Sequence, residues 1–374
     1  MSSLSPHALW MSLVCVALGL AVGCGSEPPR GACVPQPAPG TMGAVCGFSR
    51  PEDLEIVPGA GLMLVSQMRP LFGSGEGSIA AVTLDSLGAA TATIWQIWPP
   101  GTGTPPASPA ATPVVGDPAC TTSPDALMFS PHGLNTRRLD DDTVRVAIVG
   151  HGLREAVELF DLLGHGRTAV LAWRGCVPLP PHPAGNDLAL AADGAIVVAN
   201  CLPSFGGLRG AASMLGANLG MATGDVMRWM PGMGWHHIEE TTARMANGIA
   251  IDAASGTTYY SETGAGQIAR IAANGITRAS VPGRPDNLSW SSRGTLLVGT
   301  HMANAAFARC AFGRTPCRSA WALLEIDPRT LATTTLLLHD GSVVGAVAGA
   351  AEFNGRYYFS AVFDDRIGVW QPAP

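Results

Sequence analysis

A two-strand unit that recurs six times constrains this sequence more than any other feature. Each copy has a short apolar run, a turn with Gly, Asp or Asn, and a second run rich in Val, Leu or Tyr. Further strand pairs lie between the copies, and helical periodicity is scarce. The sequence therefore predicts an all-β chain built from a repeated four-stranded unit. The six copies occupy residues 54–67, 133–151, 188–200, 248–262, 288–300 and 350–362.

Six four-stranded units predict a six-bladed β-propeller with a central channel. A single blade cannot bury both faces of its sheet, whereas a closed ring of blades buries them and leaves only short edges. The alternative, a pair of large β-sandwiches, would not explain the repeated unit. The longest gap between copies contains the Pro-rich segment 98–125, which we interpret as an inserted surface loop and a candidate lid over the channel mouth.

The N-terminal residues predict export. Residues 1–23 have the length and the apolar stretch of a signal peptide, and they are too short for a confident membrane span. Ala21-Val22-Gly23-Cys24 resembles a bacterial lipobox, which predicts lipidation of Cys24 and a lipoprotein of the cell envelope. The segment before it lacks Arg and Lys, so an ordinary secretory signal that is cut elsewhere is the alternative. Residues 24–45 are predicted to be a Pro/Gly-rich tether, and residues 46–374 the propeller.

Charge and cysteine content narrow the functional class. The net charge is −6 and Lys is absent, which argues against a nucleic-acid surface and excludes mechanisms that need a lysine. Beyond Cys15 and Cys24 the chain has an odd number of cysteines, seven, so at least one thiol is free. Cys310 and Cys317 bracket a loop that a disulfide can close, and Cys33 and Cys46 can pair in the same way.

Oxygen-bearing side chains stand at the start of the first strand in four of the copies. Because the innermost strand of each blade lines the channel, these side chains should converge on one axis. Hard oxygen ligands without sulfur favour Ca²⁺ or Mg²⁺, and several protein ligands favour Ca²⁺. The alternative is ordinary turn chemistry, in which Asp and Asn bond nearby backbone groups. The residues in question are Glu52, Asp53, Asn186, Asp187, Asn247, Asp286 and Asn287.

Several motifs in this order resemble those of the arylesterase/paraoxonase lactonases, within the wider gluconolactonase-like calcium propellers. The resemblance runs from about residue 46 to the C-terminus, and it implies a six-bladed propeller with two calcium ions in its channel. The vertebrate members of that family close the ring with a disulfide to the C-terminal region. Here the C-terminal segment has no Cys, so we expect closure by strand pairing alone. The motifs are PEDLEIV, SPHGLN, VGHG, EAVELFDL, GNDLAL, MANGIAID and RPDNLSW.

The resemblance also implies a role for each residue of these motifs. His132 would be the general base that activates water, with His151 as its partner, because an imidazole has a pKa near working pH. Without the resemblance, either histidine would more simply be a packing residue. His301 is a candidate pocket residue. The catalytic calcium would be held by Glu52, Asn186, Asn247, Asp286 and Asn287, and the structural calcium by Asp53, Asp187 and the backbone carbonyl of Leu134.

The predicted function is calcium-dependent hydrolysis of lactones or aryl esters, in which water activated by histidine attacks a carbonyl polarised by the metal. One alternative is a sugar-lactone hydrolase of the gluconolactonase type, which lacks the His dyad. Another is a non-catalytic propeller that serves as a binding module at the cell envelope. The partners we expect are a small-molecule substrate and, through the lipid anchor, a membrane, and we expect a monomer.

Overall fold

The computed structural model describes residues 31–374, except for 58, 71–75, 87, 100–114, 141–142, 182–183, 204–206 and 313–316. Its strands form six four-stranded antiparallel sheets, which confirms the predicted six-bladed β-propeller. Each of the six repeats seen in the sequence supplies the first two strands of one sheet. The signal peptide and Cys24 lie outside the described residues.

The first strand, β1 (Met42–Cys46), is set apart from its neighbours in sequence because it pairs with the last strand of the chain. The next eight strands form blades 1 and 2. Blade 1 contains β2 (Pro51–Val57), β3 (Leu62–Gln67), β4 (Ser78–Leu84) and β5 (Ala90–Trp98). Blade 2 contains β6 (Ser130–Arg138), β7 (Val144–His151), β8 (Ala156–Leu163) and β9 (Val170–Pro178), with a 3-10 turn at Gly166–Thr168.

Blades 3 and 5 each carry a helix between their second and third strands. Blade 3 contains β10 (Ala184–Leu190), β11 (Ile196–Leu202), the helix α1 (Gly207–Asn218), β12 (Asp225–Met230) and β13 (Gly234–His237). Blade 4 contains β14 (Ala246–Ile251), β15 (Thr258–Glu262), β16 (Gln267–Ala272) and β17 (Gly275–Ser280). Blade 5 contains β18 (Arg284–Trp290), β19 (Leu296–His301), the helix α2 (Asn304–Phe312), β20 (Trp321–Ile326) and β21 (Thr333–His339).

Blade 6 closes the ring with strands from both ends of the described chain. It contains β22 (Val347–Phe353), β23 (Arg356–Ala361) and β24 (Arg366–Trp370), with β1 as its outermost strand. In the register of this pair, Met42 lies opposite Trp370 and Cys46 opposite Arg366. The sequence-based boundary at residue 45 is therefore wrong. The last residues assigned to the tether, 42–45, belong to the propeller, because their backbone groups pair with β24.

The inner strands β2, β6, β10, β14, β18 and β22 each contact the next in the ring, and β22 contacts β2. They therefore surround one channel. The apolar core does not fill that channel. It is divided into clusters that lie between consecutive blades, such as Leu62 and Ile79 of blade 1 against Ile148 and Phe160 of blade 2. Corresponding clusters lie at the other five blade interfaces.

Among the described residues, three disulfides are formed: Cys33–Cys46, Cys120–Cys176 and Cys310–Cys317. The first two join a segment outside the sheets to β1 and to β9. Two of them match the pairs predicted from spacing. Cys120–Cys176 was not predicted, and it ties the described end of the inserted loop to β9. Disulfides of this kind indicate an oxidising compartment outside the cytoplasm. No helix within the described residues is long and apolar enough to cross a membrane.

Candidate functional site

All six inner strands carry a β-bulge at the same place, near the strand start. In blade 5, for example, Pro285 pairs with Thr300 and Leu288 with Val298, which leaves Asp286 and Asn287 out of the ladder. A bulge re-aims side chains that a regular strand would send to alternate faces. Here it turns the polar residues of blades 1 to 5 toward the channel. The residues at the six bulges are Glu52 and Asp53, His132 and Gly133, Asn186 and Asp187, Asn247 and Gly248, Asp286 and Asn287, and Ala348 and Gly349.

The first bulge residues of five blades line one cavity of 330 Å³, which we call the site cavity. It lies at the end of the channel where helices α1 and α2 are found, which we call the upper end. All of them are buried. Position in the repeat predicted that four of them meet, and the resemblance added His132; the structure brings all five to one cavity. In blade 6 the position is Ala348, which has no polar side chain. The five residues are Glu52, His132, Asn186, Asn247 and Asp286.

The second bulge residues alternate between a polar side chain and glycine around the ring, in the order Asp53, Gly133, Asp187, Gly248, Asn287 and Gly349. The glycines make room for their polar neighbours. A Cβ on Gly133 would lie 2.4 Å from Asp187 Oδ1, and a Cβ on Gly248 would lie 2.5 Å from Asn287 Cα. Asp53, Asp187 and Asn287 line a second cavity of 180 Å³ that extends toward the lower end of the channel.

Asp53 and Asp187 each bind the backbone of two blades. Leu134 N–H donates to Asp53 Oδ2 at 2.8 Å, and Ile249 N–H donates to Asp187 Oδ2 at 2.8 Å. The remaining oxygen of each carboxylate accepts from the following residue of its own strand. Burial raises the pKa of both carboxyls well above the usual value, and the charge of Asp187 adds to the pKa rise at Asp53. Two buried acids so close together favour a cation between them.

Several side-chain oxygens of the bulge residues have no hydrogen-bond partner. Glu52 Oε2, Asn186 Oδ1, Asn247 Oδ1 and Asn287 Oδ1 are buried and accept no hydrogen bond. Unpaired buried oxygens are rare in folded proteins, since each one forfeits its hydration. Together with Asp286, these residues form a set of carboxylate and amide oxygens that suits Ca²⁺. The residues of this chain therefore fit a calcium ion.

This site differs from a metal centre built of acids and histidines. The described residues contain no group of three or more His, Cys, Asp or Glu side chains arranged to hold a metal. Three of the five proposed calcium ligands are Asn, which explains why that pattern is absent. Asn287 lies between the two cavities, because it lines the lower one while its Nδ2 donates to the backbone carbonyl of Glu52 at 3.3 Å.

His132 and His151 form a connected pair. His132 Nδ1 lies 3.0 Å from His151 Nε2, and His151 Nδ1 lies 2.5 Å from Glu155 Oε2. On its other side, His132 Nε2 faces Glu52 Oε1 at 3.3 Å. Burial disfavours a charged imidazole, but the charge and hydrogen bond of Glu52 outweigh it and raise the pKa of His132. The series runs from the buried Glu52 to Glu155, whose side chain is 43% exposed.

His301 lines the site cavity, where the sequence analysis had placed it, and it contacts a proposed calcium ligand. Its Nε2 lies 2.7 Å from Asp286 Oδ2. Phe307 of helix α2 packs against the His301 ring, with centroids 4.1 Å apart. The imidazole therefore fixes the Asp286 carboxylate from one side while the helix fixes the imidazole.

Above the bulge residues the wall of the site cavity is mostly apolar, and helices α1 and α2 supply part of it. The disulfide Cys310–Cys317 holds the C-terminal part of α2. Cys201, the free cysteine among the described residues, also faces the cavity, and burial raises the pKa of its thiol. The apolar lining consists of Met68, Leu202, Met214, Met245, Phe307, Ala308, Ala311, Val362 and Phe363.

Three features of the site differ from the sequence-based picture or exceed it. Sequence reasoning missed Glu155, which contacts His151 in the structure. The one signal in the sequence was its spacing, four residues after His151. Leu134 touches Asp53 through its N–H group, and its carbonyl as a calcium ligand stays a prediction. The proposed lid falls largely outside the described residues, but Thr122 and Asp125 at its end line a groove beside His151.

Comparisons with known proteins show the fold. No protein-family model and no curated protein sequence matches the chain. A solved structure described provisionally as a gluconolactonase superposes with a TM-score of 0.52 at 14% identity, covering 89% of this chain and 93% of the other. A luciferin-regenerating enzyme superposes with a TM-score of 0.51 at 10% identity, covering 88% and 94%. At these identities, the similarity extends to architecture alone.

Proposed function

We propose that this protein is a calcium-dependent hydrolase of lactones and aryl esters, with lactones as the leading class. The observation that carries the proposal is the convergence of three unpaired buried oxygens, those of Glu52, Asn186 and Asn247, beside His132 in one cavity. The unpaired oxygen of Asn287, which lines the lower cavity, adds a fourth to the set. An oxygen set of this kind suits a cation that binds a substrate carbonyl, and a histidine beside it suits activation of water. Two observations support lactones as the substrate class: the motif resemblance, and the fold shared with a solved structure that is described provisionally as a gluconolactonase.

The histidine pair gives the direction of proton movement. If His132 Nδ1 donates to His151 Nε2, and His151 Nδ1 donates to Glu155, each of these two bonds has one donor and one acceptor, and the contact between His132 Nε2 and Glu52 Oε1 is left without a proton. His132 Nε2 then carries a lone pair toward the site cavity, where it takes the proton of the attacking water. His151 and Glu155 stabilise the positive charge that develops on His132. They also connect it to solvent, so that the ring is reset after each turnover.

Calcium bound to the oxygen set would polarise the substrate carbonyl and offset the charge of Glu52, which otherwise favours a proton on His132 Nε2. The chain's own contribution is to hold these oxygens rigidly. Glu52, Asn186, Asn247 and Asp286 come from bulges on four different blades, so no local motion displaces them together. The hydrogen bond from Asn287 to Glu52 Oε1, at 3.4 Å, joins the fifth member to the set.

The apolar wall of the site cavity bears on the choice between lactones. A sugar lactone carries hydroxyl groups, each of which costs free energy when it is buried without a partner. The wall above the bulge residues offers mainly Met, Phe, Leu, Val and Ala side chains. We therefore propose aliphatic or aromatic lactones and esters in preference to sugar lactones.

The proposal extends to where the protein acts. The three disulfides favour an exported protein, and the lipobox-like segment leads us to propose a lipid anchor on Cys24. Incorporation of labelled palmitate into the wild-type chain, lost in Cys24→Ser, is the expected result. Equal labelling of the two chains would contradict the anchor.

Hydrolysis of phenyl acetate and of an aliphatic γ-lactone, assayed with and without a calcium chelator, tests the function. We expect activity on both substrates that disappears with the chelator and returns with added Ca²⁺. His132→Gln and His151→Gln should each lower kcat by roughly 10²-fold or more at saturating Ca²⁺, the usual range for loss of a general base.

Each part of the proposal, namely the cation, the base and the substrate class, can be contradicted separately. Activity that survives complete calcium removal would show that no cation takes part. Unchanged kcat in both histidine variants would leave the cation in place but remove the proposed base. Hydrolysis of a sugar lactone, with no hydrolysis of phenyl acetate or the γ-lactone, would reverse the proposed substrate preference. Absence of hydrolysis with every substrate would favour the non-catalytic alternative.

A further inference from the structure

Arg284 brings a positive charge to the wall of the site cavity. It begins β18, two residues before Asp286, and its side chain lines the cavity. Its Nη1 donates to Asn218 Oδ1 at 2.8 Å, at the end of helix α1. Burial, and then the charge of Arg244, lower its pKa. A partly buried guanidinium at this position has lost part of its hydration.

Arg244 lies beside Arg284, at the same end of α1. Its Nη2 donates to the carbonyl of Ala217 at 3.3 Å, and its Nε is buried without a hydrogen-bond partner. The two arginines therefore contact consecutive residues of one helix end, Ala217 and Asn218. Arg244 lies just before the inner strand of blade 4, and Arg284 is the first residue of the inner strand of blade 5.

Arg244 and Arg284 donate hydrogen bonds to neutral acceptors, whereas several other arginines of the chain bind carboxylates. Arg145, Arg154 and Arg278 each bind a carboxylate. Within the part of the chain that the structure describes, neither Arg244 nor Arg284 forms such an ion pair, and both use neutral acceptors. The C-terminal end of α1 carries a partial negative charge that stabilises nearby cations. It does not neutralise two guanidinium groups that repel each other.

We propose that Arg284, assisted by Arg244, forms a subsite of the site cavity that binds a carboxylate carried by the substrate. The inference rests on the proposed function, because it places the carboxylate on a part of the ester or lactone that is remote from the scissile bond. A guanidinium binds a carboxylate through paired N–H groups, which gives orientation as well as affinity. The subsite lies on the α1 side of the cavity, two residues along β18 from the oxygen set.

Phenyl acetate and 4-carboxyphenyl acetate test this subsite, because the two esters differ only in a carboxylate remote from the scissile bond. We expect the wild-type chain, saturated with Ca²⁺, to show the lower KM for the carboxylated ester. Arg284→Gln keeps an N–H donor for Asn218 and should reduce the KM preference roughly tenfold, as expected for a charge-assisted hydrogen bond. Arg284→Lys keeps the charge but loses the paired N–H groups, so it should fall in between.

Arg329→Gln is the matched control, since it removes one positive charge from an exposed turn away from the cavity. It should keep the wild-type preference. An unchanged preference in Arg284→Gln, an equal loss in Arg329→Gln, or a wild-type preference for phenyl acetate would each overturn the subsite. Circular dichroism of each variant distinguishes a local effect from failure to fold.

A binding experiment separates this subsite from the proposed function. Calorimetry compares terephthalate, with two carboxylates, and 4-methylbenzoate, with one, on the calcium-loaded full chain. Tighter binding of terephthalate in the wild type, lost in Arg284→Gln, supports the subsite even if no ester is hydrolysed. Equal affinity of the two compounds in the wild type would overturn the subsite even if both esters are good substrates.

Discussion

Asp53 and Asp187 are the residues that join the inner strands across blade boundaries. Each accepts one backbone N–H from its own strand and one from the next blade, Leu134 for Asp53 and Ile249 for Asp187. A buried N–H group that loses its acceptor costs free energy. Asn247, by contrast, faces the site cavity with an unpaired oxygen. The two layers of the channel should therefore respond differently to mutation.

Asp53→Ala should lower the free energy of unfolding by about 3 kcal/mol or more, since it leaves two buried N–H groups without acceptors. Asn247→Ala should cost only about 1 kcal/mol when calcium is absent, because its oxygen has no partner to lose. Chemical denaturation in the presence of a chelator measures both values. With calcium added, Asn247→Ala should reduce activity. Equal losses of stability in the two variants would contradict the division of the channel into a structural and a catalytic layer.

At the scale of residues, the sequence predicted which side chains of the inner strands meet at the channel. Position in the repeat brought together Glu52, Asn186, Asn247 and Asp286, because equivalent places in a ring of blades face one axis. Glu155 and Arg284 escaped notice for a physical reason: their contacts depend on loop paths and on a helix that has no counterpart in the repeat. A repeat predicts what every blade shares, and these two residues belong to single blades.

The element that organises the site is the bulge near the start of each inner strand. Where the second bulge residue is glycine, the neighbouring blade leaves no space for a side chain. A Cβ on Gly133 would lie 2.4 Å from Asp187 Oδ1 and 2.5 Å from Asp187 Cα, closer than real contacts allow. In blades 4 and 6 the amide of the bulge glycine is satisfied by a serine of the second strand, Ser261 for Gly248 and Ser360 for Gly349.

Gly133→Ala should destabilise the fold by about 2 kcal/mol or more, because the methyl group must displace the backbone of the next blade. Activity should fall as well, since His132 is the adjacent residue. Gly216→Ala is the matched control. Its Cβ would meet the flexible Met221 side chain at 3.2 Å, and alanine favours a helix over glycine by roughly 0.5–1 kcal/mol. Similar unfolding midpoints for the two variants would show that the bulge tolerates a side chain.

Helices α1 and α2 show where prediction from sequence failed at the element scale. Both are short, and α1 carries three glycines, residues that lower helix propensity. Large apolar side chains of α1, such as Leu208 and Leu215, are exposed, so its apolar residues do not follow a buried stripe. The strands were easier to predict because their apolar runs are buried between blades and bounded by turns.

For the whole molecule, the decisive contact is the one between β1 and β24, near opposite ends of the chain. A ring of stacked blades is stable only when the last blade is complete. The sequence predicted closure by strand pairing, and the structure confirms it, with Ala44 and Val45 fully buried in the pair. The sequence places four of its five residues, 42–45, in the tether, because so short a run between a proline-rich stretch and Cys46 gives no alternating pattern.

A chain that begins at Gly47 should be less stable than one that begins at Gly31, by about 4 kcal/mol or more. The shorter chain loses the burial of β1 and its hydrogen bonds, and it exposes the edge of β24 to association with other chains. Thermal unfolding and light scattering of the two chains measure the effect. The double variant Cys33→Ser, Cys46→Ser keeps β1 and should lose less. Equal stability of the two truncations would show that three strands suffice for blade 6.

The alternation of the second bulge residues has a consequence for how such a ring can be altered. Blades 1, 3 and 5 fill the lower layer with Asp53, Asp187 and Asn287, while blades 2, 4 and 6 leave room for them with glycine. Exchanging one blade for its neighbour would place two filled positions, or two vacant ones, side by side. The smallest interchangeable part of this protein is therefore two blades, so recombination that moves blades in pairs preserves the channel.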